Sequence, residues 1–196
     1  MLVFGVLEGG ITGLCDQAGF TIWFTGLSGA GKTAIAKPLA KALRDRGLKV
    51  ERLDGDIVRQ SLTSDLGFTK EDRDENIKRI TFVAKLLSRN GVAVICSFIS
   101  PYRQRRALTR QEIEESGAAF IEAYVECPLE VCAERDVKGL YEQAFAGEID
   151  NFTGVSDPYE PPEKADIVCP TAEETVEQSV ARVLAYLEEK GYVPVQ

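Results

Sequence analysis

A chain of 196 residues, 44% hydrophobic and 28% charged, is long enough for one α/β domain with a full core. Its net charge of −8 argues against general nucleic-acid binding, while leaving room for a nucleotide held by local basic groups. The sequence has no histidine, which removes Ser-His catalysis and His-based metal sites and leaves carboxylates or lysines as general bases.

Met1 to Ala18 is apolar and glycine-rich, lacks a basic start and is interrupted by Glu8 and Asp16. Neither a signal peptide nor a membrane span is expected there. The stretch reads as an N-terminal extension, a packed hairpin or a disordered arm, ahead of a domain over 19–196. Thr21 to Thr25 is a short β-branched run that reads as a buried strand. Gly26-Leu27-Ser28-Gly29-Ala30-Gly31-Lys32-Thr33 follows and fits G-x-x-x-x-G-K-[ST] at every fixed position. A glycine-rich turn between strand and helix aims backbone N–H groups at one point, and the helix dipole adds positive charge there. Lys32 would reach the β- and γ-phosphates of ATP, and the Thr33 hydroxyl would ligate Mg²⁺.

Ala34 to Arg46 reads as a helix, with Pro38 removing one internal hydrogen bond and predicting a kink. Val50 to Leu53 reads as the second strand and ends at Asp54-Gly55-Asp56. A carboxylate at that strand end can orient Mg²⁺ waters or take a proton from an attacking hydroxyl. Asp56 is the candidate base or holder of metal waters, with Asp54 as its supporter. Ile57 to Leu62 suggests a short helix. Thr69 with Asp72 predicts the start of a longer one reaching about Asn90, with Ile77, Ile80, Val83, Ala84 and Leu87 as its apolar stripe. Arg59, and Arg73 with Asn76 on one helix face, are either site residues or solvated surface.

Val92 to Ser97 reads as a buried strand leading into the turn Phe98 to Arg103. Arg105 to Ser116 suggests a helix, Phe120 to Val125 a strand, and Leu129 to Arg135 a helix start. Asp136 to Pro162 is too long and polar for a simple connection and suggests a mobile lid. Arg135 and Lys138 at its start could close over phosphates. Ile167 to Cys169 is the last strand, and Thr171 with Glu174 predicts a capping box for a C-terminal helix. This alternation predicts an α/β, three-layer P-loop NTPase fold with a mostly parallel five-stranded sheet, its ligands beyond the C-terminal strand ends. Cys15, Cys96, Cys127, Cys132 and Cys169 form no C-x-x-C pair. A reduced, cytoplasmic setting with Cys96 and Cys127 buried is expected, and Cys15 is the candidate for a regulatory disulfide.

The motifs GLSGAGKT (26–33), LDGD (53–56), LGFT (66–69), EDRDEN (71–76), SFISPYR (97–103), ERDVKGL (134–140), Phe152-Thr153-Gly154 and Asp157-Pro158-Tyr159-Glu160 occur in that order. From about Gly19 onward the chain closely resembles the adenylylsulfate kinases. The resemblance implies transfer of the ATP γ-phosphoryl group to the 3′-hydroxyl of adenosine 5′-phosphosulfate (APS), with Mg²⁺, in sulfate assimilation. It further implies a homodimer, and coupling to ATP sulfurylase is a possible extension of that role. It places Arg59, Arg73 and Asn76 at the phosphosulfate and ribose side, and Phe68 and Phe152 around the substrate adenine. Ile99, Ser100, Lys138, Gly139 and Leu140 become further substrate contacts, and Arg135 lies against the ATP adenine. Ser100 matches the serine described in the family as a phosphoserine intermediate, although in-line transfer to a positioned hydroxyl needs no covalent step.

Two other readings compete. One is a different P-loop metabolite or nucleotide kinase; the other is a nucleotide-binding interaction module without turnover. The joint presence of Lys32, Thr33, Asp56 and Lys138 argues against the module.

Overall fold

The computed structural model describes residues 19–195, so the extension at 1–18, including Cys15, lies outside the described residues. Strand β1 (Phe20–Thr25) is buried along its whole length. Its side chains divide between two cores. Phe20, Ile22 and Phe24 join one cluster, and Trp23 joins the other, as the alternation of a strand covered on both faces requires. The chain continues through α1 (Lys32–Asp45), β2 (Val50–Asp54), α2 (Gly55–Val58), α3 (Lys70–Ser88) and β3 (Ala93–Ser97). It ends with α4 (Arg103–Glu114), β4 (Ala119–Glu126), α5 (Leu129–Arg135), α6 (Leu140–Phe145), β5 (Ile167–Pro170) and α7 (Val176–Glu189).

The five strands lie in the order β2-β3-β1-β4-β5. Every pairing among the described residues is parallel, so the sheet is all-parallel rather than mostly so. Helices α1 and α7 pack Leu39, Leu43, Val183 and Leu187 on one face. Helices α3 and α4 pack Ile77, Ile80, Ala84 and Ile113 on the other. With β1 at the centre, the ends of β2 and β3 lie on one side of the P-loop and the end of β4 on the other. The glycine-rich loop, the Asp54 turn and the Ser97 turn therefore meet at one edge of the sheet, at the carboxyl ends of the strands.

Several boundaries differ from the sequence reading, each for a local reason. The short helix starts at Gly55 instead of Ile57, because the Asp54 side chain accepts from the Asp56 amide and caps it. Helix α4 begins at Arg103 rather than Arg105, since the Glu160 carboxylate accepts from the Arg103 amide and supplies a cap from 57 residues away. The Asp136–Pro162 stretch contains α6. The Asp136 carboxylate accepts from the amides of Leu140, Tyr141 and Glu142 and seats that helix. The expected capping box at Thr171 and Glu174 does not form. Thr175 and Gln178 make it instead, and α7 starts at Val176. Thr69 does cap α3, accepting from the Asp72 amide. Pro38 lies within α1, which runs on to Asp45.

Cys96 and Cys127 are buried free thiols, together with Cys132 and Cys169. Burial pushes the Cys132 thiol up to about 12, far from the thiolate form that reacts. No helix among the described residues is long and apolar enough to cross a membrane.

Candidate active site

The glycine-rich loop from Gly26 to Thr33 leaves the end of β1. Gly26 has φ +151°, and a Cβ there would meet the Val125 carbonyl oxygen at 2.5 Å, so only glycine fits between β1 and β4. Gly31, in the left-handed region, precedes the first turn of α1. The loop is tied from outside at three points. The Ser28 carbonyl accepts from the Tyr141 hydroxyl at 2.9 Å. The Ala30 carbonyl accepts from the Thr171 hydroxyl at 2.7 Å. The Gly26 amide donates to the Ile99 carbonyl. These three ties fix the loop's shape from outside the stretch itself.

Lys32 folds back over its own loop, its ammonium donating to the carbonyls of Gly26 (2.8 Å) and Leu27 (2.6 Å). Burial, and then the nearby Lys138 charge, pull its pKa down to about 8, against the raising pull of Cys132, Asp54 and Asp56. A triphosphate in the loop supplies the anionic partner this ammonium lacks. The Thr33 hydroxyl donates to Asp54 at 2.8 Å, and Asp54 is buried. These hard oxygen donors suit Mg²⁺, which takes few protein ligands and completes its shell with phosphate and water. Among the described residues no cluster of three or more acidic, histidine or cysteine side chains offers a closed metal cage. The oxygen donors of the open Thr33–Asp54 pair fit such an ion. Asp54, the supporter of Asp56 in the sequence reading, is the carboxylate that bonds the Thr33 hydroxyl.

Asp56 faces the segment between α5 and α6. Its carboxylate pairs with the Lys138 ammonium, 82 residues away, and both side chains are at least half exposed. An exposed pair of this kind is worth about 1 kcal/mol at most. It holds the two groups near each other and separates easily when a more charged partner enters. Gly139, with a left-handed backbone, and Leu140 carry the chain from Lys138 into α6.

The acceptor side is built around α3 and the segment after α6. Arg59 donates to the carbonyls of Leu66 and Gly67 and lies 4.2 Å from the Phe68 ring centroid. Burial and the adjacent Arg73 charge lower its pKa. Phe68 is 57% exposed, an aromatic face with a cation behind it. Arg73 donates to the Phe68 carbonyl at 2.9 Å and also reaches the Thr153 hydroxyl and the Asn151 carbonyl. It thereby gathers the two chain segments that carry Phe68 and Phe152. Asn76 is buried one turn further along α3, and its Oδ1 has no partner. Such an orphan acceptor is costly unless a ligand donor satisfies it. Phe152 packs against the edge of Tyr141, ring centroids 5.0 Å apart.

Two expected site residues stand apart. Ser100 is only 4% exposed; its hydroxyl accepts from the Trp23 indole at 2.9 Å, so it faces the core beneath the site. Its φ of 46° shows a backbone held in the left-handed region. Arg135 donates to the Thr171 carbonyl at 2.6 Å, on the α1 side of the loop. Sequence reasoning gave no site role to Tyr141, Tyr159 or Asp157, and gave Thr171 only a helix-capping one. Tyr159 bonds Thr25 at the end of β1, and Asp157 accepts from the Tyr102 hydroxyl. The Asp157-Pro158-Tyr159-Glu160 motif was the available signal: with Glu160 on Arg103, it straps the site to β1 and α4.

The adenylylsulphate kinase family model matches residues 18–170. An adenylyl-sulfate kinase of Halothermothrix orenii is 62% identical over 178 residues, 91% of this chain and 94% of its own. The Mycobacterium tuberculosis APS kinase, solved with AMPPNP and APS, superposes with a TM-score of 0.84 at 41% identity, covering 87% of this chain and 98% of that one. A hexameric APS kinase from Thiobacillus denitrificans gives a TM-score of 0.70 at 37% identity, over 90% of this chain and 30% of the other.

Proposed function

From the premise that this chain belongs to the adenylylsulphate kinase family, we infer how its own residues divide the work of the reaction. The enzyme transfers the γ-phosphoryl group of ATP to the 3′-hydroxyl of APS, giving ADP and 3′-phosphoadenosine 5′-phosphosulfate. The oxygen of that hydroxyl forms the new bond to the γ-phosphorus. The bond from the γ-phosphorus to its bridging oxygen breaks, and the hydroxyl proton passes to the Asp56 carboxylate.

In this reading Gly26 to Thr33 cradles the triphosphate with main-chain amides, and Lys32 leaves the Gly26 and Leu27 carbonyls for the β- and γ-phosphates. Thr33, with Asp54 behind it, would hold Mg²⁺, which would supply charge neutralisation at the phosphates. Lys138, released from Asp56, meets the transferring group from the lid, and its departure frees Asp56 as the base. Arg135 borders the ATP base. Phe68 and Phe152 hold the acceptor adenine, Asn76 and Arg59 its ribose and phosphosulfate side, and Ile99, Gly139 and Leu140 line the space between.

The single observation that carries this assignment is the relay Thr33–Asp54–Asp56–Lys138, in which Asp54 bonds both the Thr33 hydroxyl and the Asp56 amide. It joins the triphosphate loop to the lid through two carboxylates suited to different tasks. Transfer in this reading is direct, since a positioned hydroxyl needs no covalent step, and the 4% exposure of Ser100 beneath the site supports it.

We further propose a cytoplasmic homodimer active in sulfate assimilation, functionally coupled to ATP sulfurylase, with 19–196 as the catalytic domain and 1–18 as an extension. A coupled assay of ADP release with APS as acceptor tests the activity. Phosphorylation of AMP or of a sugar acid, with none of APS, would overturn it. Quenched single turnovers with labelled ATP and no acceptor should leave the protein unlabelled. Light scattering should give twice the chain mass.

A further inference from the structure

Tyr141, in the first turn of α6, touches both halves of the site. Its hydroxyl donates to the Ser28 carbonyl of the glycine-rich loop at 2.9 Å, across 113 residues of sequence. The same ring meets Phe152 edge-to-face, with centroids 5.0 Å apart and planes at 77°, an arrangement in which aromatic rings attract. Neither end of this bridge is loose. Tyr141 is 2% exposed, and its amide donates to the Asp136 carboxylate at 3.1 Å. The Phe152 amide donates to the Ser156 hydroxyl at 2.9 Å. Burial pushes the Tyr141 hydroxyl above its ordinary pKa, so it stays protonated and remains a donor. A carbonyl oxygen does not bind phosphate, so this bond senses the position of the loop without competing for the nucleotide. A second contact runs in parallel. A Cβ on Gly154, two residues past Phe152, would meet the Leu27 side chain at 3.0 Å, so loop and segment also pack directly. That packing is apolar and non-directional, whereas the hydroxyl bond fixes both a distance and an angle.

We propose that Tyr141 is a positioning residue that couples the two substrates: a nucleotide in the glycine-rich loop fixes Ser28, Ser28 fixes the Tyr141 ring, and that ring holds Phe152 ready for the acceptor's base. This rests on the reading above of the loop as the ATP cradle and of Phe152 as a stacking face for APS. The two states differ in whether the Phe152 ring is held or free to turn. A nucleotide that has already ordered the loop spares APS the cost of ordering that ring. Each ligand therefore tightens the other by one common factor.

ADP and APS are a suitable pair for the test, because ADP has no γ-phosphoryl group to give. Titration calorimetry of the full chain yields the APS dissociation constant with and without ADP. In the unaltered chain ADP should tighten APS about tenfold, and APS should tighten ADP equally. Tyr141→Phe keeps the ring and removes the hydroxyl. It should reduce the factor to about twofold, the remainder passing through Leu27 and Gly154. APS affinity without ADP should hardly move. A merely structural role would weaken APS to the same extent with and without ADP and leave the factor intact. Phe152→Leu cuts the bridge at its other end and should lower the factor likewise, which serves as well should Tyr141→Phe not fold. ADP alone should also slow hydrogen exchange of the α6 amides in the unaltered chain and not in Tyr141→Phe.

A factor near one in the unaltered chain, or one that survives Tyr141→Phe, would overturn the proposal and leave the kinase reading standing. Exchange in α6 that ignores ADP would do the same. An unaltered chain that binds ADP but neither binds nor phosphorylates APS would bring down the kinase reading, and the coupling with it.

Discussion

In the proposed assignment, the donor and acceptor halves of the site are held in different ways. The donor loop, Gly26 to Thr33, hangs between a fully buried strand and the start of α1, and main-chain groups define its shape. The acceptor half is assembled from α3 and the segment after α6, pulled together by side chains across about 80 residues of sequence. Main-chain cradles tolerate the loss of a neighbouring side chain, and what such a loss removes is chemistry. A pocket built from long-range side-chain ties loses its shape when one tie is cut. Damage on the donor side should therefore appear in kcat, and damage on the acceptor side in KM.

The largest effects sharpen that contrast. Lys32→Ala and Asp56→Ala should each lower kcat by about a thousandfold or more, with the melting temperature held, in a coupled ADP-release assay. A fall in APS affinity without loss of kcat in Asp56→Ala would break the comparison. Next, Gly26→Ala forces a side chain against the Val125 carbonyl and into unfavourable backbone space, which should cost about 2–4 kcal/mol in urea unfolding. If Gly26→Ala were neutral, the main chain would not be what shapes the donor side.

Asp136 offers a finer test at the start of α6. Burial pulls its carboxyl upward, but the amides of Tyr141, Glu142 and Leu140 prevail and hold it below the ordinary aspartate value. Because the folded value is the lower one, its contribution to α6 is complete above the unfolded value. It fades as the pH falls through the folded one. Protection of the α6 amides against hydrogen exchange should drop over that acid window, and Asp136→Asn should show reduced protection at every pH. The smallest effect is expected from Thr175→Ala. It removes the α7 capping box at about 1 kcal/mol of stability and should leave both kcat and KM unchanged. A change in either would connect α7 to the site more tightly than its packing indicates.

Those same differences explain what the sequence made legible. The donor loop was readable because an amide cradle needs glycines, a lysine and a hydroxyl in one contiguous stretch. The five strands were readable from β-branched runs bounded by turns. The cap of α7 was not, because Thr171 and Thr175 both precede a suitable partner by three residues. Only the fold shows that the Thr171 hydroxyl is spent on the Ala30 carbonyl. The division between Asp54 and Asp56 was hidden for a similar reason. Two carboxylates flanking a glycine look alike until one of them is seen bonding Thr33 and the other Lys138. Tyr141, Thr153 and Asp157 act across long sequence separations, where local spacing carries no signal.

The bond between Trp23 and Ser100 has a practical consequence. The chain contains a single tryptophan, it is fully buried, and its indole donates to Ser100 in the turn after β3. Its ultraviolet emission therefore reports from one known spot. Any movement of that turn becomes an optical signal that requires no added label, and stopped-flow traces of it on mixing with APS would time that movement against the transfer itself.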